Sequence, residues 1–303
     1  MEDRMICIYR KSQSAMEYLM TYGWSILIVA VVLGALAYLG VFNPLYFAPK
    51  ANPGSCQAFR PNGAGTSYDI NLLGVCSGEI PEFVASFSGN PTSSQINLGQ
   101  VSELGNLNSI TITSWIDIPY SQSSSEWYDI VSKGPWCTGT FDTIIMQGGE
   151  ISGASIGACK EVEIGSGITS GSGWHFVAYV ANSAGFQFYV DNRALPPYLI
   201  SISQPFPSSS YNVIIGAGSY GAAGVQDYNG LISNVQIYNT SLDQNSITAI
   251  YQEGIGGAPI DLQNLVGWWP LNGNANDYSG NGNNGASTGV SYTSSWISSY
   301  AQP

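Results

Sequence analysis

Two hydrophobic patterns divide the chain. From Leu19 to Ala48 no residue is charged, and the run from Trp24 to Phe42 is almost wholly apolar. A helix over that run is long enough to cross a hydrocarbon core about 30 Å thick. Pro44 ends it, and Pro49 and Pro53 prolong the break. Arg4, Arg10 and Lys11 precede the run, and Lys50 is the first cation after it. That asymmetry predicts a single-pass membrane protein with a cytoplasmic N-terminus and everything beyond residue 45 outside the cell.

Beyond Phe83 the period changes to two. Ile110–Ile116, Phe176–Val180, Phe186–Val190, Tyr211–Ile215 and Leu231–Tyr238 read as strands separated by Gly, Asn and Ser turns. Their spacing predicts an antiparallel sandwich. One short helix is predicted at Leu242–Tyr251, opened by Ser241 and closed by Gly254. Residues 46–80, between the two patterns, read as a Pro/Gly-rich linker with a short strand around Ser67–Leu73.

Composition agrees with many short strands and excludes one class of partner. Charged residues make up 9% of the 303 positions, aromatics 12%, and there are 36 glycines. The net charge is −12 with only eight Lys and Arg, so no nucleic-acid partner is expected, because phosphates would go unneutralised. Of five cysteines, Cys7 precedes the apolar run and the others follow it. An even number outside the cell suits an oxidising compartment, and sequence proximity suggests Cys56–Cys76 and Cys137–Cys159. Four cysteines allow three connectivities, and four free thiols are the alternative.

The polar junction lies before the apolar run, which a secretory signal peptide would reverse. Lys11-Ser-Gln-Ser-Ala-Met-Glu-Tyr-Leu-Met-Thr-Tyr-Gly-Trp24 resembles the class III signal peptide of archaeal type IV pilin-like proteins. The resemblance implies that a prepilin-type signal peptidase cuts between Ser12 and Gln13 and leaves the helix on the mature chain, as residues 13–45. Glu17, the fifth mature residue, would then pair with the free amine of Gln13 in a neighbouring pilin-like subunit. The alternative is a carboxylate hydrated at the headgroup boundary, since burying it alone is costly. A helix from Gln13 to about Asn43 would be roughly 45 Å long, and Ala30, Gly34, Ala37 and Gly40 form a stripe of small residues along it.

The sandwich segment carries a second resemblance. Ser109-Ile-Thr-Ile-Thr-Ser-Trp115, Ile130-Val-Ser-Lys-Gly134, Gly173-Trp-His-Phe-Val-Ala-Tyr-Val180, Phe188-Tyr-Val-Asp191 and Tyr228-Asn-Gly-Leu-Ile-Ser-Asn-Val-Gln-Ile-Tyr-Asn239 occur in the order of a laminin-G-like jelly roll. The fold so implied is mainly β, an antiparallel jelly-roll sandwich of the concanavalin A-like lectin/glucanase group, preceded by one long N-terminal pilin-type transmembrane helix. One piece is out of order. Leu265-Val-Gly-Trp-Trp-Pro-Leu271, with the Asn/Gly-rich loop to Gly285, looks like the opening strand of such a domain, yet it ends the chain. The expectation is a circular permutation in which residues 262–303 complete a domain spanning 81–303. A strand donated to a neighbour and the stub of a second repeat are the rivals.

Candidate chemistry is sparse. Asn274, Asp277, Ser279 and Asn281 supply oxygens on a Gly-rich loop, and related jelly rolls often bind Ca²⁺ near this loop. Only one carboxylate is present there, and Ser233 and Asn234 stand where related domains tend to carry acids. A turn held by Asx hydrogen bonds is the alternative. Glu161 and Glu163 share a strand face, but the third acid of the glucanase pattern is missing, so a hydrolase is not expected. His175 is the only histidine and reads as structural. Asn239-Thr-Ser241 is an N-glycosylation sequon on an expected surface turn. Trp127, Trp136, Tyr220 and Tyr228 are aromatics on expected loops that can stack on sugars. The leading expectation is a non-enzymatic pilin-like surface subunit that binds glycans or another cell's surface. The alternative is an anchored structural protein that forms no filament.

Overall fold

The computed structural model describes residues 22–34, 55–61, 67–73, 80–89, 94–118, 127–134, 141–146, 150–154, 161–199, 201–202, 205–206, 210–218, 227–301 and 303. Ser12, Gln13, Glu17, Cys7, Cys76, Cys137, Cys159, Trp136 and Tyr220 lie outside these. The chain forms two compact units, Met1–Ala51 and Asn52–Pro303. In the first, residues 22–34 are helical (α1) with exposed side chains, and the rest of the expected Gln13–Asn43 helix lies outside the described residues. Among the described residues no helix is long and apolar enough to cross a membrane.

The second unit opens with a hairpin of β1 (Ser55–Pro61) and β2 (Ser67–Leu73), which pairs Cys56 with Leu72. Then come β3 (Val84–Ser88), β4 (Gln95–Asn97), β5 (Ile110–Asp117), β6 (Trp127–Lys133), β7 (Phe141–Met146), β8 (Glu150–Ala154) and β9 (Glu161–Gly165). Next are β10 (Trp174–Asn182), β11 (Gly185–Val190), β12 (Arg193–Ala194), β13 (Tyr198–Leu199), β14 (Val213–Ile215) and β15 (Asn229–Tyr238). After α2 (Gln244–Glu253) the chain ends with β16 (Leu265–Trp269), β17 (Ala286–Thr288) and β18 (Ser291–Thr293). Two antiparallel sheets result. The first runs β12-β11-β10-β5-β15-β3-β18, with β13 on β11 and β16 on β15. The second runs β17-β4-β14-β6-β7-β8-β9.

The period-two segments become strands because their alternate residues meet between the sheets. Ile110, Ile112 and Ile116 of β5, Tyr179 of β10, Phe186 and Phe188 of β11 and Val131 of β6 all join that core. A second apolar cluster covers the other face of the first sheet. Trp115, Phe176, Val180 and Tyr238 pack there under Ile247 and Ile250 of α2. The helix starts two residues later than its sequence suggests. Asp243, not Ser241, caps it, because the Asp243 carboxylate accepts from Ser246 N at 2.8 Å. Gly254, at φ 80°, ends it as expected.

The terminal segment is woven into both sheets. β3 pairs with Asn229–Ile232 of β15 and β16 pairs with Val235–Tyr238, so the two lie end to end along one edge of the same long strand. β17 pairs with β4 in the second sheet, and β18 pairs with β3 in the first. The consecutive Trp268 and Trp269, both fully buried, alternate across β16: Trp269 enters the inter-sheet core and Trp268 the outer cluster.

Candidate functional site

The first sheet is sealed on both faces by apolar packing, so a ligand that meets a sheet must meet the second. On β4 Ile96 faces the core, which leaves Gln95 and Asn97 on the far side; on β14 Val213 and Ile215 face inward and Ile214 outward. On β6 a bulge between Asp129 and Val131 turns both Ile130 and Val131 inward and leaves Asp129 and Ser132 on the far side. In register, Asp129 stands opposite Ile144 and Ser132 opposite Asp142 of β7, which pairs with β8, and β8 pairs with β9. The described side chains of this face are mostly polar, and Asp129, Ser132 and Ile214 among them are buried.

Asp129 is the unusual member. It is 1% exposed, and among the described residues neither of its carboxyl oxygens has a hydrogen-bond partner. Asp227, 8% exposed, is its electrostatic neighbour. Burial and then the charge of Asp227 push the Asp129 carboxyl well above the usual carboxylate range. Sequence reading passed over this pair because the two acids lie far apart in the chain and neither belongs to a motif. The only signal was a lone Asp interrupting the apolar strand Tyr128–Val131.

The expected calcium loop is brought together, with its oxygens engaged by the protein's own N–H groups. Asp277 Oδ1 accepts from Trp268 N at 3.0 Å and Ser279 N at 2.9 Å, and its Oδ2 accepts from Asn283 N at 2.9 Å. Asn274 Oδ1 accepts from Asn276 N and Ser279 Oγ from Asn281 N. The Asn281 side chain donates to the carbonyls of Leu265 and Val266 at 2.8 and 3.0 Å. The bonds from Asn276 N and Ser279 N are Asx-turn contacts, and those to Trp268, Leu265 and Val266 fasten the loop along β16. Among the described residues no group of three or more His, Cys, Asp or Glu is placed to hold a metal.

His175 sits in a constellation that its sequence did not reveal. Its Nδ1 lies 2.6 Å from Asp191 Oδ2 and its Nε2 lies 2.8 Å from Ser172 Oγ. The same hydroxyl lies 2.6 Å from the carbonyl of Thr169, the shorter contact, which draws its one proton to the backbone. Asp191 Oδ1 also accepts from Phe176 N at 3.0 Å. The trio therefore ties the start of β10 to the turn after β11, a structural clamp rather than an activated nucleophile.

Other expectations resolve residue by residue. Tyr228 is no loop aromatic: it is fully buried, packs edge-on against Phe87, and its hydroxyl donates to the carbonyl of Asp117 at 3.2 Å, so it cannot stack on a sugar. Trp127 starts β6 opposite Met146. Glu161 and Glu163 occupy β9, at the edge of the second sheet. Asn239 is exposed at the turn between β15 and α2, as a sequon requires.

A family model described as the concanavalin A-like lectin/glucanases superfamily matches residues 89–248. The crystal structure of a putative carbohydrate binding protein from Bacteroides ovatus superposes with a TM-score of 0.54 at 16% identity, covering 76% of this chain and 64% of that one. This likeness is one of fold, and the chain spans less than two thirds of that relative. A heptameric SAP-like pentraxin from Limulus polyphemus gives a TM-score of 0.47 at 16% identity, covering 60% of this chain and 86% of that one. The CBM40 of the Ruminococcus gnavus IT-sialidase, bound to α2,3-sialyllactose, gives 0.42 at 15% identity, covering 52% and 94%. No curated protein matches the chain.

Proposed function

The chain belongs to the concanavalin A-like lectin/glucanase superfamily, and from that premise we propose that it is a cell-surface subunit that binds glycans without cleaving them. The observation that carries this reading is the polar outer side of the second sheet, where Gln95 and Asn97 are half-buried beside the buried Ser132 and Asp129. Half-buried polar side chains such as Gln95 and Asn97 offer hydrogen-bonding groups, which sugar hydroxyls require. Strands β6 to β9 carry Asp129, Asp142, Glu150, Glu161 and Glu163, with no Lys or Arg at the positions paired to them, which gives this sheet an acidic balance. Like charge disfavours sialylated and uronic sugars and favours neutral ones. Hydrolysis would need two carboxyl groups flanking the scissile bond. Glu161 and Glu163 sit instead on an edge strand that continues as Ile164-Gly165.

The N-terminal segment supports a pilin-like mode of display. On this reading a prepilin-type peptidase removes residues 1–12 at Ser12–Gln13, the helix holds the subunit in the membrane, and Glu17 then registers it against other pilin-like subunits. Disulfides Cys56–Cys76 and Cys137–Cys159 would brace the exposed domain. The support is the sequence pattern around Lys11–Trp24 and the exclusively extracytoplasmic placement it predicts for those four cysteines.

A glycan array probed with the detergent-solubilised full chain tests binding. Neutral glycans are expected to bind and sialylated ones to be excluded. An array with no signal, or one won by anionic sugars, would end this reading of the acidic face. Release of reducing sugar from the bound glycans would overturn its non-enzymatic part. Electron microscopy of surface filaments, with antibody to residues 52–303, tests assembly.

A further inference from the structure

Two polar side chains in the turn between β15 and α2 take no part in holding the fold. Asn239 is exposed, and among the described residues its side chain has no hydrogen-bond partner. The side chains of Asn234, Asn264, Asn274, Asn281 and Asn283 are all engaged. Ser241 is half-buried, and its hydroxyl has no partner among the described residues either, because Asp243 and not Ser241 caps α2.

The backbone that carries the two is fixed from outside the turn. Asn239 N donates to the carbonyl of Asn264 at 2.9 Å. The Thr111 hydroxyl donates to the carbonyl of Thr240 at 2.7 Å and accepts from Leu242 N at 2.9 Å. Tyr238 pairs with Thr111, and Ile110 pairs with Ala181, so Asn239 stands at the end of the first sheet that also carries the β10–β11 turn. β15 has no partner strand in the second sheet, and a bulky group at Asn239 leaves the outer side of that sheet open.

Asn239-Thr240-Ser241 has the spacing that N-linked transfer requires, an Asn followed two residues later by a hydroxyl. The triplet Asn90-Pro91-Thr92 fails the same requirement, because Pro holds its middle position. We propose that Asn239 carries an N-linked oligosaccharide, taken from a lipid-phosphate-linked sugar donor on the outer side of the membrane. The proposal rests on the reading that places residues beyond 45 outside the cell. In the transfer, Asn239 Nδ2 forms a bond to the anomeric carbon, and the bond from that carbon to the phosphate oxygen breaks. The lipid phosphate leaves with the electron pair, and the amide proton passes to a base of the transferase. Ser241 is the hydroxyl that completes the acceptor, and its absence from the helix cap leaves it open to recognition.

Full-length protein extracted from the membranes of the cells that make it is digested, and the peptide spanning Asn239 is weighed and fragmented by mass spectrometry. The peptide is expected to exceed its sequence mass by whole sugar residues, with the added mass on Asn239. Asn239→Gln and Ser241→Ala should each return it to the sequence mass, whereas Ser241→Thr keeps the glycan. A peptide at its sequence mass, in protein that antibody to residues 52–303 reaches on intact cells, overturns the glycan and leaves the display reading standing. Added mass that survives Ser241→Ala also overturns it. Protein that the antibody does not reach on intact cells overturns the display reading, and the glycan with it.

Discussion

Asn234 shows how a single side chain can replace a charge. It sits in the left-handed region at φ 49°, is buried, and stands where the resemblance leads one to expect an acid. Its Nδ2 donates to the carbonyl of Gly257 at 2.9 Å, while Oδ1 accepts from Trp268 Nε1 at 2.7 Å and from Gln236 Nε2 at 3.1 Å. A carboxylate could not donate to Gly257 and would be a buried charge, so the amide is what lets the tail's tryptophan dock. Asp117 keeps its acid by a different arrangement. Burial raises its carboxyl above the ordinary value, and the Ser299 hydroxyl, donating to Oδ2 at 2.7 Å, partly offsets this. Because the folded value is raised, stability linked to this group is complete below the unfolded value of 3.8 and is lost as pH rises through the folded one. Ser299→Ala removes a donor to the charged form. We therefore expect it to cost about 1 kcal/mol at pH 7 and much less at pH 4, read from urea denaturation at the two pH values.

At the scale of elements, α2 and β15 show where sequence signals were ambiguous. Ser241 and Asp243 are both good caps two residues apart, and only the packing of Ile247 and Ile250 against the first sheet fixes the helix phase. Asp243→Ala should lose about 1 kcal/mol, seen as a lower urea midpoint with an unchanged m-value. The bonds that cap the helix hold the Asp243 carboxyl below the usual range. That contribution is present above the unfolded value and fades as pH falls through the folded one. β15 was legible as an apolar strand, but not that two different strands share one of its edges. The division falls at Ser233 and Asn234, where Ser233 Oγ and Asn234 N both donate to the carbonyl of Pro270. β16 also needs Gly267. A Cβ there would come within 2.1 Å of the Trp269 ring, so the indole lies flat along the strand backbone only because the position is bare.

On the scale of the whole molecule, the tail joins the two sheets. Residues 262–303 supply Trp269 and Leu271 to the inner core, Trp268 and Trp296 to the outer cluster, two strands to the first sheet and one to the second. Truncating one buried Trp typically costs about 3–5 kcal/mol, so deleting the segment should lower the Tm by about 15 °C or more in a thermal melt. An unchanged Tm would mean that these strands do not complete the sandwich of their own chain.

The sequence by itself determined the element inventory, because alternation at period two and Gly/Asn turns are local properties that a window of a few residues carries. It also determined the order of motifs that marks the jelly roll and the acidic balance of the chain. Tertiary structure decided what depends on distant partners. It turned Tyr228 into core, gave His175 its Ser172 and Asp191 neighbours, and spent the oxygens of the Asp277 loop on backbone N–H groups. It also brought Asp227 beside Asp129, through a bulge that no periodicity encodes. The physical reason is the same throughout: periodicity reports which face a residue takes, and only the folded chain reports what stands opposite it.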